Sequence, residues 1–304
     1  MQIFHDTRID FLGNRQKAIR ISLVAVAISI LSLILHGGPK LGIDFHGGTL
    51  MQLRFESNIQ VEEIRTSLGN IGMGSAEIKT FADPREVLIH VEQSETGAST
   101  PDRIREILGR DIPNNPFEIR RLETVGPRIG GELVTSAIWA IVAAILLMVI
   151  YISARFEFRF ALGALAALVH DVLITLGIFS ILNVEVSLAV VAALLTIVGY
   201  SLNDTIVVFD RVRENLKLLR RETLIPVLNK SINSTLSRTV ITSSTTLLVV
   251  IMLYLFGGEV ISSFAFALLI GVMVGTYSSI FIASPVLVWW DERQTAKKSV
   301  AGSK

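Results

Sequence analysis

Six apolar stretches of about twenty residues each dominate this 304-residue chain. A helix rises about 1.5 Å per residue and the hydrocarbon layer of a bilayer is about 30 Å thick, so a span needs roughly 20 apolar residues. The stretches run near Ala18 to Leu35, Leu133 to Ile152, Phe160 to Leu182, Val186 to Val208, Ser237 to Phe256 and Ile261 to Trp290. Composition agrees, since 51% of residues are hydrophobic and only 18% charged, more than a soluble domain of this length needs to fill its core. The class is integral membrane, with six transmembrane helices.

Orientation follows from where the cations fall. Arg8, Arg15, Lys17 and Arg20 flank the start of the first stretch, Arg155 and Arg159 link the second and third, a basic cluster follows the fourth, and Arg293, Lys297 and Lys298 follow the sixth. The links Asn183 to Glu185 and Gly257 to Glu259 carry no Lys or Arg. Positive loops stay inside, so both termini are expected in the cytoplasm. His36-Gly37-Gly38-Pro39-Lys40 lacks the small-x-small pattern of a cleaved leader, so the first stretch is expected to be an uncleaved anchor. The expected layout is a cytoplasmic segment at 1–17, a span at 18–35, a periplasmic domain at 36–132, five spans within 133–290 and a cytoplasmic tail at 291–304. A basic cytoplasmic loop is expected at about 209–236; its part from Arg211 to Lys230 carries Leu216, Leu219 and Ile225 among cations. Such a segment is expected to lie along the anionic inner surface, with docking to other machinery as the alternative.

The outer domain reads as a strand at Thr49 to Glu56, a helix at Val61 to Leu68, strands at Ala76 to Phe81 and Glu86 to Glu92 around Asp83-Pro84, a helix at Pro101 to Leu108 after Ser99-Thr100, and a strand at Phe117 to Thr124. The order βαββαβ packs naturally as a small α+β, ferredoxin-like domain. Two glycine-rich stretches bound it, Gly42 to Gly48 with Gly47-Gly48, and Val125 to Gly131 with Gly130-Gly131. Neither fits a phosphate-binding loop, so both are expected to be hinges or tight turns.

Polar groups inside the spans carry the chemistry. Asp204, near the end of the fourth stretch, costs roughly 2.5 to 3.5 kcal/mol at a helix centre, and such residues mark ion or proton routes. Arg238 opens the fifth stretch, either as a cation that snorkels to the cytoplasmic interface and orients the span or, on a stripe with Ser231, Thr235, Thr242 and Thr245, as a group expected to point into the bundle. An Asp beside an Arg whose separation changes can load and release a proton. His170-Asp171 falls near mid-depth of the third stretch, either as a relay or as a hydrogen-bonded pair holding the third span to the fourth. Asn203 is expected to orient Asp204. Gly271, Gly275, Ser279 and Ala283 recur every four residues, a small-xxx-small pattern for close helix packing.

Several function classes are excluded. No cysteine is present, so no disulfide, thiolate metal site or thiol nucleophile exists. Neither HExxH, GxSxG nor a nucleotide loop occurs, so no catalytic residue, cofactor or metal is expected, and no nucleic-acid partner.

Four segments together carry a resemblance: GIDFHGG at 42–48, GYSLNDTIVVFDRVREN at 199–215, SINSTLSRTVITSSTTLL at 231–248 and GTYSSIFIASP at 275–285. In this order they resemble the SecD/SecF family of protein-export membrane proteins, within the resistance-nodulation-division superfamily. The resemblance implies a chain that pairs with SecD into a twelve-span unit beside the SecYEG channel in the lipid bilayer, leaves room for YajC as a further subunit, and uses the proton motive force to complete preprotein export. It also implies that Asp204 and Arg238 belong to a proton pathway completed by a carboxylate of the partner. Two other classes remain open: a half-unit of a proton-driven lipid or small-molecule exporter, and a passive scaffold whose buried charges stabilise the bundle.

Overall fold

The computed structural model describes residues 7–81, 83–91 and 100–301, in two compact units: Met1–Lys40 with Trp139–Lys304, and Leu41–Ile138. Ser99 and Glu92, assigned above to a helix start and a strand end, lie outside the described residues, as do the first six residues and the last three.

The first helix, α1 (Arg15–Leu35), belongs to the larger unit. The smaller unit then runs α2 (Ile43–His46), β1 (Gly48–Phe55), α3 (Val61–Gly69), β2 (Glu77–Thr80), β3 (Glu86–Val91), α4 (Thr100–Asp111) and β4 (Phe117–Val125). Its strands form one antiparallel sheet in the order β2-β3-β1-β4, with Met51 opposite Ile89 on one side and Leu122 on the other. Alternation explains which face is covered: Met51, Leu53, Phe55, Val87, Ile89 and Val91 all fall on one side and are buried with Ile64 and Leu68 of α3 and Ile104 and Leu108 of α4. This is the ferredoxin-like βαββαβ arrangement, preceded by the extra turn α2.

Gly47 and Gly48 join α2 to β1 with φ of 77° and 145°, backbone conformations that only glycine adopts freely. The other glycine pair differs from the expected hinge. The helix α5 (Pro127–Arg155) already begins at Pro127, so Gly130 and Gly131 are helical. Proline suits a first turn because its missing N–H would have no intrahelical partner. Gly130 serves a close approach instead, since a Cβ there would sit 2.4 Å from the Phe45 carbonyl oxygen.

In the turn before β3, Asp83 accepts from the Arg85 guanidinium at 3.0 and 2.7 Å and from the Arg85 main-chain N–H at 3.0 Å. These bonds hold its carboxyl down at about 2.

The larger unit continues with α6 (Phe158–Ile181), α7 (Leu188–Leu218), α8 (Leu224–Phe256), α9 (Gly258–Ser278), a π-helical turn Ser279–Ala283 and α10 (Ser284–Ala301). Among the described residues, six helices are long and apolar enough to cross a membrane, with α9, the π turn and α10 forming one continuous sixth span. This is a multi-pass membrane protein. The centre lies among α6, α7 and the sixth span; α1 packs on α6, and α8 packs on α7 and α9. By contrast α5 exposes Ile138, Leu146, Leu147 and Ile150, a surface that suits lipid contact.

Small residues set these packings. A Cβ on Gly271 would meet the Ile197 side chain at 2.3 Å, one on Gly275 would meet Ser201 at 2.9 Å, and one on Gly177 would meet Ser29 at 2.1 Å. Helices this close gain van der Waals contact that larger side chains would prevent.

The expected basic loop is not a loop. Helix α7 runs on to Leu218 and α8 starts at Leu224, leaving residues 219–223 as the link. The cause is a buried face that continues past the span: Val208, Phe209 and Val212 on α7 share one buried cluster with Leu228 and Ile232 on α8. Asn215 Nδ2 donates to Ser231 Oγ at 2.8 Å across this contact. Pro226 falls in the first turn of α8, where it costs no helical bond.

Candidate functional site

Helix α7 places Ser201, Asp204, Thr205 and Val208 on one buried face, as spacings of three and four residues require. Asp204 is 2% exposed. Its Oδ2 accepts from Ser243 Oγ of α8 at 3.4 Å, Ser243 Oγ lies 2.7 Å from Thr276 Oγ1 of α9, and Thr276 Oγ1 lies 2.7 Å from the carbonyl oxygen of Val272. Three helices thus meet at this carboxylate through two hydroxyls.

Asn203 is not part of that meeting. One residue turns an α-helix by about 100°, and Asn203 is accordingly exposed on another face of α7 rather than orienting Asp204.

Arg238 also departs from expectation. The buried polar stripe on α8 is Ser231, Thr235, Thr239 and Ser243, spaced strictly by four, whereas Arg238 and Thr245 are exposed. Among the described residues Arg238 makes no ion pair with Asp204, although its charge lies within Coulombic reach of the carboxylate.

Asp171 forms a second centre and is fully buried. Its Oδ2 accepts from Ser201 Oγ of α7 at 2.6 Å and from Ser278 Oγ of α9 at 2.8 Å, while Oδ1 lies 2.9 Å from His170 Nδ1. The third, fourth and sixth spans are therefore tied through one side chain. The His170 ring stacks on Tyr277, with centroids 6.2 Å apart. Tyr277 in turn donates its hydroxyl to the Ala18 carbonyl oxygen at 3.0 Å and accepts from Ser22 Oγ at 3.1 Å, which adds the first span. Ser201 lies one turn before Asp204 on the same face, so the two centres are neighbours along α7.

Sequence reasoning singled out neither Ser201, Ser278, Ser243, Thr276 nor Tyr277 as site residues. The available signal was hydroxyl density in the fourth, fifth and sixth stretches, which alone does not separate carboxylate partners from side chains that bond their own helix. The π turn was also missed. It begins directly after Ser278, and Ser284 Oγ, just past its end, donates back to the Ser279 carbonyl oxygen at 3.3 Å. Such bulges are frequent at functional sites. Among the described residues, neither unit by itself gathers three metal-type ligands around one point.

The family model described as "Protein export membrane protein SecD/SecF, C-terminal" matches residues 108–293, and the "SecD/SecF GG Motif" model matches 32–59. The chain belongs to the SecD/SecF family. Protein translocase subunit SecF of Desulfurispirillum indicum is 48% identical over 94% of this chain and 92% of that protein. The subunit of the same name from Rhodothermus marinus is 43% identical over the full length of both. Among solved structures, SecDF of Thermus thermophilus, described as a translocon-associated membrane protein, superposes with a TM-score of 0.84 at 39% identity over 94% of this chain. SecDF in a super-membrane-facing form matches with a TM-score of 0.74 at 38% identity over 98% of this chain. This chain spans 39% and 41% of those two SecDF chains. Within this SecD/SecF member, the GG-motif match contains Gly47-Gly48 between α2 and β1. The C-terminal match contains both buried carboxylates.

Proposed function

We propose that this chain is the six-span half of a Sec protein-export complex whose other half is SecD, and that the pair uses the proton motive force to drive late preprotein translocation and release on the periplasmic side. Partnership with SecD is supported by relatives named as translocase subunit SecF and by SecDF chains more than twice as long as this one. The cation distribution supports both termini inside, and the description of the Thermus protein as translocon-associated supports a place beside SecYEG in the inner membrane.

Asp204 carries the proposal. A carboxylate that is 2% exposed, at the meeting of three spans and in Coulombic reach of an outward-facing Arg238, is positioned to bind a proton on one side and release it on the other. Each proton that crosses is worth about 2.3 kcal/mol per 100 mV, enough to bias two helix arrangements that differ by a few hydrogen bonds. Arg238 is available to a carboxylate of the partner. Asn203, on its exposed face, is reassigned from an orienting role to this partner-facing surface. His170-Asp171 acts as a latch and is not a step on the path, because both carboxylate oxygens are already engaged by residues of three spans.

The test uses cells depleted of the native protein and supplied with Asp204→Asn. Amide and carboxylic acid share a shape but only one titrates, so uncleaved secretory precursors should accumulate while the variant's membrane level and co-purification with SecD stay normal. Normal export at equal abundance would remove Asp204 from the mechanism.

A further inference from the structure

We propose that Ser243 and Thr276 form a directional hydroxyl relay that reports the protonation state of Asp204 to α9. The proposal rests on the reading of Asp204 as the proton-binding group.

The number of hydrogens sets the direction of the row. Four oxygens stand in a row, Asp204 Oδ2, Ser243 Oγ, Thr276 Oγ1 and the Val272 carbonyl, separated by 3.4, 2.7 and 2.7 Å. Three links need three hydrogens, and each hydroxyl supplies one. With Asp204 ionised only two are available. The carboxylate is the strongest acceptor in the row, so both point toward it: Thr276 donates to Ser243 and Ser243 donates to Asp204. The link to Val272 is then empty. Protonation of Asp204 adds the third hydrogen and reverses the row, so that Asp204 donates to Ser243, Ser243 to Thr276 and Thr276 to Val272. No further proton moves beyond the one that arrives.

The consequence falls on α9. With Asp204 ionised, Thr276 gives its hydrogen to α8; with Asp204 protonated, Thr276 turns that hydrogen onto its own helix. Two residues further on, Ser278 remains fixed to Asp171 and the π turn begins. The α7–α8 and α8–α9 links thus both reverse with the load, and the Thr276–Val272 bond within α9 forms only when Asp204 is protonated, next to a segment whose helical hydrogen bonding is already irregular. Other titratable groups on the packed elements are accounted for. From α8 comes Arg238, from α6 the His170-Asp171 pair that Ser201 and Ser278 hold, and from α9 Tyr277, whose hydroxyl is engaged by α1.

Infrared difference spectra of the full chain in lipid, taken between acidic and alkaline samples, read the relay. A carboxylic C=O band absent in Asp204→Asn belongs to Asp204. In Thr276→Val, which keeps the shape and removes the hydroxyl, this band should move to higher wavenumber because the row can no longer pass hydrogens along, and Thr276→Ser should return it. Ser243→Ala should move it at least as far. An Asp204 band at the wild-type position in both Thr276→Val and Ser243→Ala overturns the relay and leaves Asp204 as the proton site. Absence of any Asp204-dependent band in the wild type overturns the proton reading itself, and the relay with it.

Discussion

Replacing Asp171 separates a latch from a relay. In Asp171→Ala the hydroxyls of Ser201 and Ser278 and the Nδ1 of His170 lose their acceptor or partner, at contacts of 2.6, 2.8 and 2.9 Å. Side-chain hydrogen bonds between membrane helices average about 0.6 kcal/mol in double-mutant cycles, with a maximum of about 1.7. Three such bonds give about 2 kcal/mol. Leaving a buried hydroxyl unsatisfied costs about 1 to 3 kcal/mol in soluble hosts. Ser278 escapes that penalty because the Gly275 carbonyl oxygen already lies 3.1 Å away. With that penalty falling on Ser201 alone, the expected loss is about 3 to 5 kcal/mol. In Asp171→Asn the amide oxygen keeps both serine donors and the amide nitrogen donates to the neutral His170 ring, so the loss should stay under about 1 kcal/mol. Unfolding of the chain by sodium dodecyl sulfate in mixed micelles, followed by circular dichroism, measures both. Precursor export in depleted cells measures function beside it. The latch predicts a strongly destabilised alanine variant and an asparagine variant that is stable and exports normally. An asparagine variant at normal abundance that stops export would refute the latch and restore His170-Asp171 to the proton path.

Two other outcomes follow from close geometry. Gly275→Ala would push a Cβ to 2.9 Å from Ser201 and so drive the Ser201 hydroxyl off Asp171; overpacking of this kind costs about 1 to 3 kcal/mol, and the same detergent titration should find Gly275→Ala destabilised while an exposed change such as Leu218→Ala is neutral. In the outer unit, Asp83 is held at about 2 by Arg85, below the usual 3.8, so its contribution to stability is fully present above about pH 4 and is lost as pH falls through 2. Arg85→Ala should return the Asp83 carboxyl toward 3.8 in carboxyl-carbon NMR, and an unchanged midpoint would show that the Arg85 fork is not the cause.

Length and apolar pattern made the spans legible, because burial of backbone in hydrocarbon leaves few alternatives to a twenty-residue helix. The sheet order was legible from the βαββαβ succession, which packs in one natural way. Rotation about a helix axis was much less so. Spacings of three and four both keep residues near one face, and the choice between Arg238 and Thr239 on α8 is decided by tertiary packing that local pattern does not encode. Asn203 is the simpler case, since adjacency to Asp204 in sequence means about a quarter-turn away in space. The partners of Asp171 lie 30 and 107 positions along the chain, and only the fold brings them together. Composition also misled at the basic stretch after Asp210. Cations there suggest a loop over about 209–236, but the apolar and amide positions Val212 and Asn215 continue the helical face and keep α7 folded to Leu218.

The measurement closest to the central claim is preprotein movement into inner-membrane vesicles carrying either wild-type chain or Asp204→Asn, with the proton gradient intact and after an uncoupler. Vesicles whose SecD partner and SecYEG are equal in amount isolate the carboxylate. The account predicts that the uncoupler slows late translocation in the wild type and has little further effect in Asp204→Asn, which is already slow. Equal gradient dependence in the two would contradict it.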